Sequence, residues 1–98
     1  MVLRVWVLRL GRGRPPAVNP SVMEARPHVL ANLGKRVREA RTKRGMSQEV
    51  LAALAGLNRN YVNQVECGRR NVSIVNLLKL ADALNVDVTT LVRGLSTK

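Results

Sequence analysis

Four polar side chains at the start of one predicted helix could form hydrogen bonds with the edges of nucleic-acid bases: Arg59, Asn60, Asn63 and Gln64. Arginine can pair through two hydrogen bonds with guanine, and asparagine or glutamine with adenine, each pair giving roughly 1–3 kcal/mol of discrimination. Helical spacing keeps positions 59, 60 and 63 near one surface, with position 64 one turn below position 60. These residues are therefore predicted to contact bases, the alternative being a polar helix face that meets only water.

A second set of residues is predicted to contact phosphates. Gln48 directly follows a helix-capping serine, where its amide and free backbone N–H groups could bind a phosphate. Asn58 could cap the base-reading helix and also contact a phosphate. The Tyr61 hydroxyl could reach another, or its ring could pack at the helix junction. The remaining candidates lie in the loop after this helix and along the first helix: Arg69, Arg70, Asn71, Arg36, Lys43 and Arg44.

Five short helices would have to position these side chains. Leu33, Val37 and Ala40 recur at helical spacing, which predicts a first helix from Asn32 that stops before Gly45. Further helices are predicted after the capping residues Ser47, Asn58, Ser73 and Asp87. Their predicted packing positions are Leu51, Ala52, Leu54, Ala55, Val62, Val65, Ile74, Leu77, Leu78, Ala81, Leu84, Val88, Leu91 and Val92. The sequence thus predicts an all-α fold, a compact five-helix domain with a basic N-terminal extension.

Composition favours a polyanionic partner. The 98 residues carry a net charge of +11, and residues 31–98 contribute 12 basic and 5 acidic side chains. Nucleic acid is the first expectation and an anionic membrane the second. A single cysteine, Cys67, and the lack of a Cys/His cluster predict no metal and no disulfide, which fits a reducing cytoplasm. No apolar run approaches the roughly 18 residues that cross a bilayer.

The chain divides into an extension at residues 1–30 and the predicted domain at residues 31–98. The extension begins with apolar residues and continues into a segment rich in Gly, Pro and Arg, so we expect it to be flexible. It could be a disordered tail upstream of a start at Met23, or a strand used in self-association. It could also be a basic arm that reaches DNA through Arg9, Arg12 and Arg14.

Residues 33–92 resemble the lambda-repressor-like helix-turn-helix family of Cro/C1 or Xre type. The resemblance is carried by residues 33–38, Ser47-Gln48, Leu51-Ala52, Ala55-Gly56, Tyr61-Val62, Val65-Glu66, Gly68, residues 77–81 and Ala83-Leu84. A narrower similarity, to the controller proteins of restriction-modification systems, is carried by Arg59-Asn60-Tyr61-Val62 and Arg70-Asn71-Val72-Ser73. The family resemblance implies a structural ion pair between Arg41 and Glu66, and the phosphate role for Gln48 with occasional support of a base-reading side chain.

The predicted function is a sequence-specific regulator of transcription that binds double-stranded DNA as a homodimer. Two copies would read a palindrome with half-sites about 34 Å apart, or a multiple of that distance. The predicted dimer surface is the fifth helix and its flanks, although these apolar residues could instead only close the core: Val86, Val88, Leu91, Val92 and Leu95.

The alternative function is an antitoxin-type interaction protein that neutralises a toxin and represses its own promoter. An enzyme is not expected, because the sequence offers no paired carboxylates and no activated nucleophile. No cofactor and no small-molecule ligand are expected either. Control is predicted to come from protein concentration and dimerisation.

Overall fold

The computed structural model describes the backbone of residues 20–97 and the side chains of residues 28–97. All regular structure in this range is helical. The helices are α1 (Pro20–Lys43), α2 (Gln48–Ala55), α3 (Arg59–Glu66), α4 (Ile74–Leu84) and α5 (Val88–Val92). The all-α fold with five helices is therefore confirmed. The candidate arm residues Arg9, Arg12 and Arg14 lie outside the described residues.

The first helix begins earlier than its apolar spacing predicted. It starts at Pro20, whereas the pattern placed its beginning at Asn32. Proline suits the first helical position because its ring fixes φ and that position needs no backbone N–H. His28, which the sequence placed in the extension, is an exposed residue of α1.

Side-chain caps begin each of the four shorter helices, as predicted. The side chains of Ser47, Asn58, Ser73 and Asp87 accept hydrogen bonds from backbone N–H groups two or three residues ahead, at 2.7–3.1 Å. The bond from the Thr89 amide lowers the pKa of Asp87, because it stabilises the carboxylate form. Gly56 ends α2 in the left-handed region with a φ of 67°, which sets the turn into α3.

A cluster of aliphatic side chains forms the core. Its fully buried members come from all five helices: Val37, Leu51, Val62, Val65, Leu80, Leu84 and Leu91. The predicted packing positions Leu54, Ile74 and Leu78 were wrong, since these side chains are 60%, 65% and 44% exposed. The buried stripe of α4 instead follows positions 77, 80, 81 and 84, because α4 packs on the core along only one face.

Two glycines allow α1 to approach the C-terminal end of α3 closely. A Cβ on Gly34 would lie 2.2 Å from the carbonyl oxygen of Val65 and 2.7 Å from that of Glu66. A Cβ on Gly68, which directly follows the α3 cap, would lie 2.9 Å from the Cα of Ala31. The backbones of α1 and α3 therefore touch without intervening side chains, which fixes the position of α3.

We predict that Gly34→Ala lowers the free energy of unfolding. In an open helix this change would stabilise by up to ~1 kcal/mol. Here the added methyl group meets backbone carbonyls that cannot rotate away, so a net loss of about 1–3 kcal/mol is expected. Urea denaturation measures the effect, with Lys35→Ala at the next, exposed position as the control. An increase in stability for Gly34→Ala would contradict the close approach.

Candidate nucleic-acid interface

Helix α3 turns one face to the core and the other to solvent. Val62 and Val65 are fully buried, which anchors the helix. Of the four predicted base-reading residues, Arg59 and Asn60 are exposed, whereas Asn63 and Gln64 are half-buried. The structure therefore brings these four side chains to the solvent side of one helix, where its N-terminal end could enter a major groove.

A largely buried ion pair joins the end of α1 to the end of α3. The Arg41 Nε atom donates to Glu66 Oε2 at 2.6 Å, and Arg41 Nη2 donates to Glu66 Oε1 at 3.0 Å. The two side chains are only 12% and 3% exposed. The Glu66 carboxylate raises the pKa of the Arg41 guanidinium by accepting its hydrogen bonds. The pair that the family resemblance implied is thus present in the structure.

The side chain of Gln48 connects this ion pair to α3. Its Nε2 atom donates to Glu66 Oε1 at 3.1 Å, and its Oε1 atom accepts from Asn63 Nδ2 at 3.3 Å. The family resemblance implied that Gln48 binds a phosphate and sometimes supports a base-reading side chain. In this structure its amide bridges the Glu66 carboxylate and Asn63, a candidate base reader. The phosphate contact stays a prediction.

Arg59 forms an ion pair with Glu49 across the turn between α2 and α3. The Arg59 Nε and Glu49 Oε1 atoms are 3.3 Å apart, and the two side chains are 57% and 70% exposed. An exposed pair of this kind contributes little to stability. Arg59 can therefore exchange Glu49 for another acceptor, such as a guanine edge, at low cost.

The loop after α3 places a second guanidinium near the helix. Arg70 lies over the ring of Tyr61, with 5.0 Å between the guanidinium carbon and the ring centre, a cation–π contact. Tyr61 is half-buried, while Arg69, Arg70 and Asn71 are exposed. Arg70 thus lies against Tyr61 of α3, and its chain neighbours Arg69 and Asn71 are exposed in the same loop.

Arg36 and Arg44 are engaged elsewhere. Arg36 donates to the carbonyl oxygens of Leu91 and Arg93, and Arg44 donates to those of Leu84 and Asn85. Both guanidinium groups thereby satisfy carbonyls at the C-terminal ends of α4 and α5, where cations are favoured. They line, with Lys43, an open groove of about 300 Å³ between α1 and the α4–α5 connection. Their geometry favours a structural role over the predicted phosphate contact.

The predicted dimer surface needs a correction at Leu91. This side chain is fully buried in the core and has no area left for a partner. The other four predicted interface residues are only partly buried, yet each packs against the core: Val86, Val88, Val92 and Leu95. The fifth helix therefore mainly closes the monomer, because it is short and packs against α1 and α4.

Among the described residues, the exposed large apolar side chains belong to α2 and α4, two helices that pack against each other. We name this set the α2–α4 apolar face: Val50, Leu54, Ile74, Val75 and Leu78, whose exposed fractions are 44–65%. Val50 and Leu54, like Ile74 and Leu78, are separated by four residues, so each pair lies on one side of its helix. The sequence pattern predicted core positions for Leu54, Ile74 and Leu78 and gave no assignment for Val50 and Val75.

None of the described helices combines the length and the apolar character that a membrane crossing requires. Among the described residues no three His, Cys, Asp or Glu side chains are grouped as metal ligands would be. Cys67 is exposed, and its Sγ atom lies 3.9 Å from Asn63 Oδ1, the distance of a weak S–H···O hydrogen bond.

We predict that Arg41→Met lowers the free energy of unfolding by about 3–5 kcal/mol, because Glu66 is left buried without its counter-charge. The double variant Arg41→Met/Glu66→Met should recover most of this loss, since no charge remains buried. Urea denaturation measures both changes. Arg59→Ala, which breaks the exposed ion pair, is the control and should cost at most about 1 kcal/mol. If Arg41→Met and Arg59→Ala lowered the free energy of unfolding equally, this would contradict the structural role of the Arg41–Glu66 pair.

Comparisons with known proteins agree with this architecture. The model of the family described as Helix-turn-helix matches residues 37–91. The chain is similar to the Control protein C.SmaI of Serratia marcescens, with 44% identity over 59 residues, which span 60% of this chain and 70% of that protein. It is also similar to the Control protein C.BamHI of Bacillus amyloliquefaciens, with 46% identity over 54 residues, 54% of this chain and 67% of that protein.

Two solved structures resemble the chain in both fold and sequence. The crystal structure of the restriction-modification controller protein C.AhdI from Aeromonas hydrophila has a TM-score of 0.63 and 56% identity, covering 63% of this chain and 94% of that one. The hypothetical transcription factor NHTF from Neisseria has a TM-score of 0.62 and 38% identity, covering 81% of this chain and 86% of that one.

Proposed function

The chain belongs to the helix-turn-helix family, of the lambda-repressor-like (Cro/C1) type, and is a DNA-binding regulator of transcription; from this we propose that it reads a palindromic operator as a homodimer and controls a restriction-modification system. The observation that carries the proposal is the exposure of the polar N-terminal part of α3 on a helix whose other face is locked into the core. Similarity to three proteins named as control or controller proteins supports the proposed control of a restriction-modification system. Because its target is DNA, we also propose that it acts in the cytoplasm.

In the proposed complex, base edges and phosphates are contacted by different residues. Arg59, Asn60, Asn63 and Gln64 lie on the open face of α3 and supply the base contacts. Asn58 at the helix start, together with Tyr61 and the loop residues Arg69, Arg70 and Asn71, supplies phosphate contacts that set the register. The net charge of +11 attracts the duplex over a longer range.

We place the dimer contact on the α2–α4 apolar face. Its five side chains are uncharged, on a chain that is otherwise strongly basic, so a second copy can meet it without bringing like charges together. Stable dimers bury about 800 Å² per partner around an apolar centre. Five side chains that are each about half exposed can supply such a centre, with the polar residues of α2 and α4 as its rim.

Selection of bound sites from random duplexes tests the DNA-binding proposal. We expect a palindromic motif, with an affinity that falls with salt at a log–log slope of about −0.9 per neutralised phosphate. Arg59→Ala should reduce binding to the selected motif much more than binding to random DNA, because Arg59 is assigned to a base. Lys35→Ala removes the same charge from an exposed site on α1 and is the control. Equal losses on both DNAs would assign Arg59 to a phosphate.

Sedimentation analysis of Ile74→Glu tests the dimer contact. This residue is 65% exposed in the first turn of α4, where an acidic side chain suits the helix, so the fold should persist. We expect the wild-type protein to dimerise and the variant to be monomeric at concentrations where the wild type is dimeric. Thr89→Glu, on the exposed side of α5, is the control and should dimerise normally. Normal dimerisation of Ile74→Glu would contradict the assignment.

A further inference from the structure

A groove beside α1 is not part of the proposed DNA contact. This groove, the α1–α5 groove, has a volume of about 300 Å³, and the side chains that line it include Arg36, Glu39, Ala40, Lys43, Arg44 and Val86. We propose that it binds an acidic peptide segment of a partner protein, whose carboxylates meet the three cations while an apolar side chain covers Ala40 and Val86. This inference goes beyond the proposed function and requires neither a particular operator nor a dimer.

The groove and the reading helix lie on opposite sides of α1. Gly34 and Arg41, which both contact α3, are seven residues apart and therefore lie on the same side of the helix. Arg36 and Lys43 have the same spacing but are displaced by two residues, a rotation of about 200° around the helix axis. They line the groove on the side away from α3, where α1 meets the connection between α4 and α5. A duplex bound at α3 therefore leaves the groove open to another partner.

The positive charge of the groove is held in place but not neutralised. Arg36 donates through Nη1 to the carbonyl oxygens of Leu91 and Arg93, which leaves its Nε and Nη2 groups for another acceptor. Arg44 donates through Nε and Nη2, which leaves its Nη1 group. A carbonyl oxygen carries only a partial charge, and both ion pairs in the described part of the chain involve other residues. The two guanidinium groups therefore keep their full charge in a fixed position.

This combination of groups fits a carboxylate that is attached to an apolar neighbour. The Nε and Nη2 atoms of one arginine can bind both oxygens of a carboxylate, as Arg41 does with Glu66. Lys43 is exposed and adds a flexible cation. Half-buried Ala40 and Val86 supply apolar area beside these cations. An acidic residue next to an apolar one can therefore contact both parts of the groove.

The shape and charge of the groove favour a peptide over a small molecule or a second duplex. Sites for small molecules usually enclose most of the ligand surface, whereas this groove is open to solvent. A duplex carries a charge at every phosphate, so its backbone would also meet the negative charge of Glu39. A peptide can place its carboxylates only where the cations lie. Acidic motifs are bound by clustered arginines in other peptide-binding proteins.

Titration of the isotopically labelled full chain with a blocked peptide tests this inference. The probe peptide alternates aspartate and leucine. One control peptide has serine in place of leucine, and another has lysine in place of aspartate. The chemical shifts of the backbone amides report where the peptide binds, and their dependence on peptide concentration gives the Kd. No DNA is present in this titration.

We expect the probe peptide to shift the amides that line the groove, the serine peptide to bind more weakly and the lysine peptide not to bind. Lys43→Gln should weaken binding of the probe about tenfold, the effect of losing one charge-assisted hydrogen bond. Lys35→Gln removes the same charge from an exposed site of α1 outside the groove and should change the Kd at most about twofold, because solvent screens distant charges. Glu39→Gln should strengthen binding about two- to fivefold, the range of an exposed charge interaction.

Three results would overturn this inference. The probe peptide could shift no amide of the groove, or it could shift the amides of α3 instead. Lys35→Gln and Lys43→Gln could weaken binding by the same factor, in which case net charge alone explains the interaction. Added duplex DNA could shift the groove amides and displace the peptide, which would make the groove a second DNA contact. Failure of the proposed function looks different, because the peptide would still bind although the protein selects no DNA motif.

Discussion

The carboxylate of Glu66 is the point on which the reading surface depends. It is almost fully buried and accepts hydrogen bonds from Arg41 at the end of α1 and from Gln48 at the start of α2, while it belongs to the end of α3 itself. Arg41 also donates to the carbonyl of Met46, in the connection between α1 and α2. A buried charge that loses its partner is costly, so this carboxylate holds three helices in one arrangement even if its net contribution to stability is small.

Packing supplies the second constraint on α3. Gly34 and Gly68 let the backbone of α1 meet the end of this helix directly, and Val62 and Val65 insert its inner face into the aliphatic core. These contacts determine which face of the helix is turned inward. Its outer face carries polar side chains because that face is left in water. The DNA-binding function of the family uses these exposed side chains.

Charge and apolar area are separated on the surface. Arg59 and the two arginines of the loop after α3 are exposed and lie on or beside the reading helix. Arg36 and Arg44, in contrast, satisfy helix carbonyls and so stabilise the domain. The α2–α4 apolar face carries no charge. Long-range attraction to DNA and close contact with a second copy can thus use different regions, which avoids burying like charges at a dimer contact.

Local sequence patterns were sufficient to predict the helix order, the four side-chain caps and the exposed start of α3, because each depends on local spacing and on hydrogen bonds within a few residues. The sequence also indicated Arg41 and Glu66, through the family resemblance. The packing of the helices was needed to identify the hydrogen-bond partners of Gln48, the burial of Leu91, and the exposure of Leu54, Ile74 and Leu78. An apolar residue at helical spacing can face either the core or an open surface, and only the packing of the other helices decides between them.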